Sequence, residues 1–473
     1  MSESLSLSAL DLAFFVLESR ERMSNVGPLA ILKPPPRTRS PGAFADRLLR
    51  AMKKRPVGAP FNRMYRAPGL QGMPRLETAA RIDLDAHCHR HTLPAPGSNK
   101  QLLEFVCRLH EKRLDRARPP WEFHVIDGLQ GGRIALYGKV HHGIIDGRGF
   151  VEVCTRWFNA DAADKDARAM WEGLPQRRSQ AAPVAAAGRT KSGLQAATQA
   201  AVQATKAVAS LYAALSRQAL ASAGLKAGMP LPFFGTPSDL GGKPSVQRIL
   251  AYCCLPLQDV KAYGKAHDAS VNDVLLTLLD MALNRYLDAK GRSGKARPLV
   301  ADMPVALTGG GGGNAIAILQ FPLGAAVASP LERMAQIKQR TAEVKDHVKR
   351  TDATALITYT AAVHGIPALL ETLGVRKAPT LANAVISNPF GLAQRCYLAG
   401  AELEMILPVS VLAPGQSLNI TAVTYAEHFQ IAFLGLEAEM PDIARLAELT
   451  TLAFAELTAS VAAKPTAGRT RRK

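Results

Sequence analysis

The sequence predicts an α/β protein built from two halves. Runs typical of helices and of strands alternate on both sides of a long stretch rich in Ala, Gln and Thr. The chain has 473 residues, 47% of them hydrophobic, which is enough to bury two sizeable cores. We therefore expect a first half at residues 1–170, a largely helical linker at 171–244, a second half at 245–462 and a basic, disordered tail at 463–473.

The first half begins with a predicted short helix and a strand that ends before three prolines. Apolar residues then recur at helical spacing in two segments, and two strands lead into a doubled histidine. The predicted elements are a helix at 11–18, a strand at 26–32, helices at 43–54 and 102–114, and strands at 121–126 and 133–140.

The linker and the second half also contain recognisable elements. Residues 195–220 predict a helix with few large apolar side chains, which we interpret as a spacer rather than as an amphipathic surface helix that touches lipid. In the second half we predict helices at 271–287, 330–348 and 441–457 and strands at 299–307, 316–323, 418–425 and 429–434.

The charge balance favours anionic partners. Lys plus Arg number 58 and Asp plus Glu 39, so the formal net charge is +19. We do not expect nucleic acid as the partner, because the sequence shows neither zinc-finger spacing nor an RNP-like aromatic pattern. It also has no concentrated basic helix outside the last dozen residues. An anionic membrane surface or the phosphates of a nucleotide thioester fit the same charge.

The cysteines and the hydropathy pattern indicate a cytoplasmic protein. The six cysteines include no C-x-x-C pair and follow no secretory signal, so we expect reduced, buried thiols. A stretch of about 18 uncharged apolar residues, as a membrane span requires, does not occur. The protein is expected not to cross a membrane, although it can still lie on one.

The segment with the clearest chemistry is HHGIIDG at residues 141–147, between a predicted strand and a helix. Strand alternation sends His141 and His142 to opposite faces, so that one of them can enter a cleft. A histidine there is suited to remove a proton from an alcohol near neutral pH. Asp146 follows too closely to be assigned as the partner that orients the histidine, and we expect it to pin the loop, while Gly143 and Gly147 let the backbone turn tightly.

Several other interpretations of this motif stay open. In the simplest alternative, the motif residues have a structural role only, as polar groups of a buried turn. Counted from His141, the segment also spells the His-x-x-x-x-Asp of glycerophosphate-type acyltransferases, but their downstream phosphate-binding box is missing. A condensation domain that forms amides or polyketide esters is a third alternative, and an inactive lipid-binding or droplet-coating protein of the same fold is a fourth.

Together with five further segments, this motif resembles the bacterial bifunctional wax ester synthase/acyl-CoA:diacylglycerol acyltransferases, whose hallmark is HHxxxDG. The likeness covers nearly the whole chain, about residues 7–457. Several boxes in one order are far more specific than a single motif. The further segments are GAPFN at 58–62, LPAPG at 93–97, RPPWE at 118–122, SVNDVL at 270–275 and GQSLNIT at 415–421.

The resemblance implies a two-domain fold similar to chloramphenicol acetyltransferase, with an active-site tunnel between two α/β halves that meets the histidines. It implies transfer of a long-chain acyl group from acyl-CoA to a fatty alcohol or diacylglycerol, with acyl-CoA as co-substrate and without a metal or other cofactor. His142 is the implied general base, and the first histidine, His141, belongs to the same motif. Because such substrates reside in a bilayer or droplet, we expect peripheral contact with the membrane or with lipid inclusions.

The resemblance also suggests roles for residues outside the motif. Asn272 is our candidate for the donor that stabilises the oxyanion, or for an organiser of its loop, and Thr421 is a weaker candidate. Trp121 and Asp273 are expected to bind substrate. Within the motif, Asp146 and Gly147 are expected to belong to the catalytic site.

Three departures from the family pattern bear on acceptor choice and efficiency rather than on the reaction class. Asn25 stands where the family usually has histidine, and Pro28 where glycine is common. Pro120 replaces leucine in the tryptophan box, and SNPFGL at 387–392 replaces SNVPGP.

Three other patterns suggest sites that we do not expect. His87, Cys88, His89 and His91 could suggest zinc, but further ligands at the usual spacing are lacking, so we predict a polar surface strand. The glycines at 309–313 are interpreted as a flexible loop, because no Lys-Ser or Lys-Thr follows as in a phosphate-binding loop. A serine nucleophile elbow is not present.

Overall fold

The computed structural model describes residues 4–7, 9–67, 74–174, 240–291, 298–307, 316–325, 329–372, 381–389 and 391–462. Most of the predicted linker, the glycine run at 309–313 and the basic tail lie outside the described residues. The interpretations given to those segments therefore stay predictions.

Helices of the first half begin where the sequence supplies caps. Ser40 caps α2 and Pro41 occupies its first turn, while Ser98 and Gln101 form a reciprocal capping box at the start of α3. The elements are β1 (Ser4–Ser6), α1 (Ala9–Val16), β2 (Asn25–Lys33), α2 (Pro41–Met52), β3 (Arg63–Arg66), β4 (Arg75–Thr78), β5 (Cys88–Thr92), α3 (Asn99–His110), β6 (Trp121–Asp127), β7 (Ile134–His141) and α4 (Gly147–Trp157).

The second half repeats this design. Capping boxes start α6, through Ser270 and Asp273, and α7, through Ser329 and Glu332. The elements are β8 (Arg248–Pro256), α5 (Leu257–Ala266), α6 (Val271–Asp288), β9 (Val300–Ala306), β10 (Ile316–Pro322), α7 (Pro330–Arg350), α8 (Ala353–Thr372), β11 (Ala384–Ser387), β12 (Tyr397–Leu398), β13 (Ala401–Val409), β14 (Leu418–Tyr425), β15 (His428–Leu436) and α9 (Ile443–Ala462).

Two six-stranded sheets form the centre of the protein. The first sheet has the order β12-β13-β2-β7-β6-β5, and the second has the order β10-β9-β11-β14-β15-β8. A smaller sheet of three strands has the order β1-β4-β3. The strand β7, which leads into the histidine motif, is buried along its length between β2 and β6, so its end is held rigidly.

The second half of the chain contributes a strand to the first sheet. Strand β13 belongs to the second half of the sequence but pairs antiparallel with β2, in the first sheet. Leu102 and Val106 of α3 share a core with Leu250 and Leu434 of the second half. The division at 170 and 245 stays a prediction. The sequence did not predict that β13 joins the first sheet, because pairing between distant strands leaves no local pattern. Trp171, just beyond that division, is fully buried.

Two expectations about individual side chains need correction. The strand with the histidines, β5, is not a polar surface strand, because His87 and Cys88 are buried and His89 and His91 are half-buried. Among the six cysteines, Cys254 is exposed and the other five are buried. In the described part of the chain, every helix is too short or too polar to cross a membrane.

Candidate active site

The histidine motif occupies the junction between the first sheet and α4. Strand β7 ends at His141, a single 3₁₀ turn covers His142–Ile144, and α4 begins at Gly147. The Oδ1 atom of Asp146 accepts a hydrogen bond from the Gly149 N–H at 2.6 Å and so caps the helix. This is the loop-pinning contact that we expected of Asp146.

The two motif glycines differ in what surrounds them. A Cβ atom on Gly143 would lie 2.5 Å from the Phe15 ring, so only glycine fits there. A Cβ atom on Gly147 would meet nothing within 4 Å. Packing therefore requires the first glycine, and open space lies beside the second.

His141 is locked inside the protein. Its backbone N–H donates to the Pro120 carbonyl, its ring stacks on Phe15 with centroids 4.0 Å apart, and its Nδ1 accepts from the Gly143 N–H at 3.1 Å. Burial lowers the pKa of His141 to about 3, so the ring is neutral at neutral pH. Because Nδ1 accepts, the single ring proton is on Nε2, 3.8 Å from the Glu18 Oε1 atom.

His142 is held by a backbone hydrogen bond and by ring stacking but remains partly exposed. Its backbone N–H donates to the Ser24 carbonyl at 2.7 Å, and its ring stacks on Phe14 with centroids 4.1 Å apart. Nδ1 is buried and has no hydrogen-bond partner in another described residue. Burial lowers the pKa of His142, opposed by its own carbonyl and by Asp146, so the ring is neutral and able to accept a proton.

The N-terminal segment supplies contacts to the histidine pair, which we define as His141 and His142. Phe14 and Phe15 of α1 stack on the two rings, and Glu18 and Ser24 follow in the loop after the helix. Sequence reasoning missed these residues. The available signal was the spacing of Phe14 and Glu18, which are four residues apart in the predicted helix at 11–18, although α1 ends at Val16.

Asn25 has a structural position beside the pair. It lies opposite His141 in the pairing of β2 with β7, and it is fully buried. Its Nδ2 donates to the carbonyls of His110 and Lys112, at 2.8 and 3.0 Å. This departure from the family pattern therefore ties β2 to the end of α3.

Four other predicted site residues make contacts of their own. Trp121 is buried, and its indole N–H donates to the Phe61 carbonyl at 2.7 Å. Asp273 caps α6 through Ser270. Thr421 donates to Asn419 at 2.8 Å, and Asn272 is half-buried in the first turn of α6. Their catalytic or substrate-binding roles stay predictions, and the contacts of Trp121 and Asp273 favour packing and capping.

An apolar cleft begins one turn after Asp146. One wall belongs to α4, and the opposite wall belongs to β13, β14 and the loop between β11 and β12. The cleft therefore lies between chain segments from both halves of the sequence, and the tunnel stays a prediction. Its lining residues are Phe150, Val151, Cys154, Gly391, Leu392, Ile406, Pro408 and Val423.

Comparison with known proteins gives a consistent result over the whole chain. Residues 7–275 match the model of the wax ester synthase/diacylglycerol acyltransferase catalytic domain, and residues 312–458 match that of the C-terminal domain of the same family. A probable diacylglycerol O-acyltransferase of Mycobacterium tuberculosis is 33% identical over 98% of this chain and 99% of its own. A second, putative one from the same organism is 30% identical over 96% and 97%.

Solved structures show the same fold. The wax ester synthase/diacylglycerol acyltransferase of Marinobacter aquaeolei superposes with a TM-score of 0.73 at 25% identity, covering 97% of this chain and 100% of that one. The first condensation domain of the calcium-dependent antibiotic synthetase gives 0.56 at 16% identity over 98% of each chain, a likeness in fold alone. The predicted two-domain acyltransferase fold is confirmed.

Proposed function

Since the chain belongs to the wax ester synthase/diacylglycerol acyltransferase family, we propose that His142 is the general base of its acyl transfer. The chain is an O-acyltransferase that moves an acyl group from acyl-CoA to a fatty alcohol, a diacylglycerol or both. One observation carries the proposal for His142. It is the member of the histidine pair whose ring is partly exposed, while His141 is buried to 1% exposure.

The mechanism requires one proton transfer in each direction. The His142 ring takes the proton of the acceptor hydroxyl as the hydroxyl oxygen attacks the thioester carbonyl. The tetrahedral intermediate collapses with cleavage of the C–S bond, and the proton passes from His142 to the departing thiolate. No acyl-enzyme is needed, and the chemistry uses acyl-CoA as co-substrate without a further cofactor.

We keep Asn272 as the candidate donor to the oxyanion. It occupies the first turn of α6, where the helix dipole favours negative charge. Thr421 is the weaker candidate because its hydroxyl already donates to Asn419. The cleft beside α4 has an apolar lining, which favours contact with hydrocarbon over contact with polar groups.

Thiol release from palmitoyl-CoA tests the proposed function. Purified protein is assayed with hexadecanol, with dipalmitoylglycerol or without acceptor, beside a His142→Ala variant. We expect thiol only with a lipid alcohol, and a loss of at least roughly 100-fold in kcat in the variant. Activity of the variant equal to wild type would show that the motif is structural. A wild type inactive with both acceptors would favour a lipid-binding protein.

Peripheral contact with a lipid surface is part of the proposal. Val16 and Leu17, at the end of α1, are 63% and 36% exposed, on the same segment that contacts the histidine pair. Arg20 is exposed and follows Leu17 closely in the chain, and Arg113 is exposed and pairs with Glu18, the residue after Leu17. The whole protein carries a net charge of +19. An apolar tip with basic flanks fits an anionic membrane.

Cosedimentation with vesicles that contain phosphatidylglycerol tests this contact. We expect the double variant Val16→Ser/Leu17→Ser to bind several-fold more weakly than wild type. Leu452→Ser is the matched control, because Leu452 is 48% exposed on α9. Equal loss in both variants, or no loss in either, would refute α1 as the contact.

A further inference from the structure

Glu18 is a carboxylate buried beside the histidine pair. Its side chain is 1% exposed, yet it contacts two arginines from the segment after α3. Arg113 Nε and Arg116 Nη2 donate to Oε2 at 2.7 and 2.8 Å. Burial raises the pKa of Glu18, but the hydrogen bonds and charges of the two arginines lower it, and the net direction is down, so the group is charged at neutral pH.

The two oxygens of Glu18 serve different partners. Both arginines bind Oε2, whereas Oε1 accepts from the Ser24 N–H at 3.3 Å and lies 3.8 Å from the Nε2 atom of His141. An ion pair needed only for stability would not require this division, because the guanidinium groups could use both oxygens. Oε1, the oxygen that the arginines do not contact, faces the histidine pair.

From Oε1, two short paths reach His142. The first path runs through Ser24, whose N–H donates to Oε1 and whose carbonyl accepts the His142 N–H at 2.7 Å. The second path runs through the His141 ring, whose Nε2 lies near Oε1 and whose Nδ1 accepts from the N–H of Gly143, the residue after His142. A single residue therefore separates Glu18 from the backbone N–H of His142 on one path and from that of Gly143 on the other.

We infer that Glu18 is a positioning residue for His142. The Gly143 N–H sets the His141 tautomer with the proton on Nε2, and the negative charge of Oε1, 3.8 Å from Nε2, favours that tautomer electrostatically. Oε1 also anchors Ser24 by a hydrogen bond, so that the turn carrying His142 keeps one geometry. This inference rests on the proposed role of His142 as general base. It gives the N-terminal segment a part in catalysis that neither the motif nor the boxes around it indicate.

The Glu18→Gln variant tests the role because an amide cannot satisfy all partners. If its oxygen stays with Arg113 and Arg116, its NH₂ group faces the Ser24 N–H and His141 Nε2. Nε2 then becomes an acceptor, and the proton moves to Nδ1, where it opposes the Gly143 N–H. The variant should misplace the turn while leaving the cleft intact.

The expected kinetic result is a fall in kcat of roughly 10- to 100-fold, with the KM for palmitoyl-CoA within about twofold of wild type. The ¹⁵N spectra of histidine-labelled protein should show the tautomer of His141 change. The control is Asp280→Asn, since Asp280 is also a buried carboxylate paired with an arginine, Arg333, but in the second half. That control should lower the melting temperature without changing kcat.

A double-mutant cycle separates positioning from general stabilisation. If Glu18 acts partly through His141, Glu18→Gln combined with His141→Gln should be little worse than the more damaging single variant, rather than the product of both losses. If Glu18→Gln does not fold, Glu18→Asp retains the charge but withdraws the second carboxylate oxygen from Ser24 and His141. That variant should still lose kcat.

Several results would overturn the inference. These are a folded Glu18→Gln or Glu18→Asp protein with wild-type kcat, an unchanged His141 tautomer in Glu18→Gln, and multiplicative losses in the cycle. A His142→Ala protein that keeps full activity would refute the proposed base itself. An inactive His142→Ala protein beside a fully active Glu18→Gln protein would refute only the role of Glu18.

Discussion

Two groups of histidines lie in the first sheet, and only one has the geometry of a catalytic site. The histidine pair is one group. The second, the histidine cluster, consists of His89 and His91 of β5 and His124 of β6, with His91 Nε2 and His124 Nδ1 3.1 Å apart. Burial lowers the pKa of each ring in both groups, that of His124 to about 4. A lowered pKa therefore does not distinguish them.

Position in the sheet does distinguish them. The cluster rings face one another on the edge strand β5 and its neighbour β6, where His124 also lies 3.5 Å from Glu122 and stacks on Tyr137. The pair ends a central strand, where the chain turns and one ring keeps an exposed edge. Among the described residues, no group of three or more His, Cys, Asp or Glu side chains is arranged to hold a metal ion. Position at a strand end, rather than the number of histidines, is what favours the pair as the candidate site.

The same substitution in both groups gives the largest expected contrast. His142→Gln should lower kcat by roughly 10³-fold, because it removes the base, and His124→Gln should change kcat by less than about threefold. Thiol release under saturating palmitoyl-CoA measures both. A similar loss in the two variants would abolish the distinction between the groups.

The glycines of the motif give the next largest effect. Gly143→Ala drives a Cβ atom into Phe15, which stacks on His141, so we expect a loss of roughly 100-fold in kcat and about 1–3 kcal/mol in the free energy of unfolding. Gly147→Ala has open space and a helical position, and its free energy of unfolding should stay equal or rise by up to about 1 kcal/mol. Urea unfolding compares the two, and equal destabilisation would contradict the packing argument.

The pH dependence has the smallest expected effect and separates the groups by function. His142 must be neutral to act, and its pKa is below 6.5, so kcat should hold as the pH falls through 6.5 and decline tenfold per unit only below the lowered pKa. The cluster should affect stability instead. An unfolded histidine takes up a proton below about pH 6.5, whereas folded His124 does so only near pH 4.

That stability is fully present above pH 6.5, is lost as the pH falls toward 4, and changes no further below that value. Between pH 6.5 and 5, wild type should lose about 2 kcal/mol more than His124→Gln in the free energy of unfolding. Urea titrations at the two pH values measure the difference. Parallel losses in both proteins would show that His124 is not the group that couples stability to pH.

Much of the fold was predictable because its signals are local. Strand 133–140 and helix 43–54 appear within a residue or two as β7 and α2, since apolar periodicity and caps act over one or two turns. The strands β12 and β13 were not predicted. The place of β13 in the first sheet depends on pairing with β2, more than 360 residues earlier in the chain, and β12 joins the sheet by pairing with β13. No local pattern records the pairing of β13 with β2.

The candidate site divides in the same way. The sequence indicated His142 as base through the motif, and it indicated that Asp146 holds the loop. The substrate-binding role predicted for Trp121 stays a prediction, and in the folded chain this indole stacks on His87 and Trp171. A tryptophan box does not reveal which face of β6 its aromatic ring takes, because both faces of this sheet are covered.

By itself, the sequence determined the α/β class, the reactive motif and, through family membership, the reaction. Only the tertiary structure decided how the motif is held. Glu18 and His141 are 123 positions apart, and their 3.8 Å approach exists because α1 packs against the turn at the end of β7. Burial then determines which ring is sealed and which can accept a proton, and burial is a property of the folded chain rather than of any residue in it.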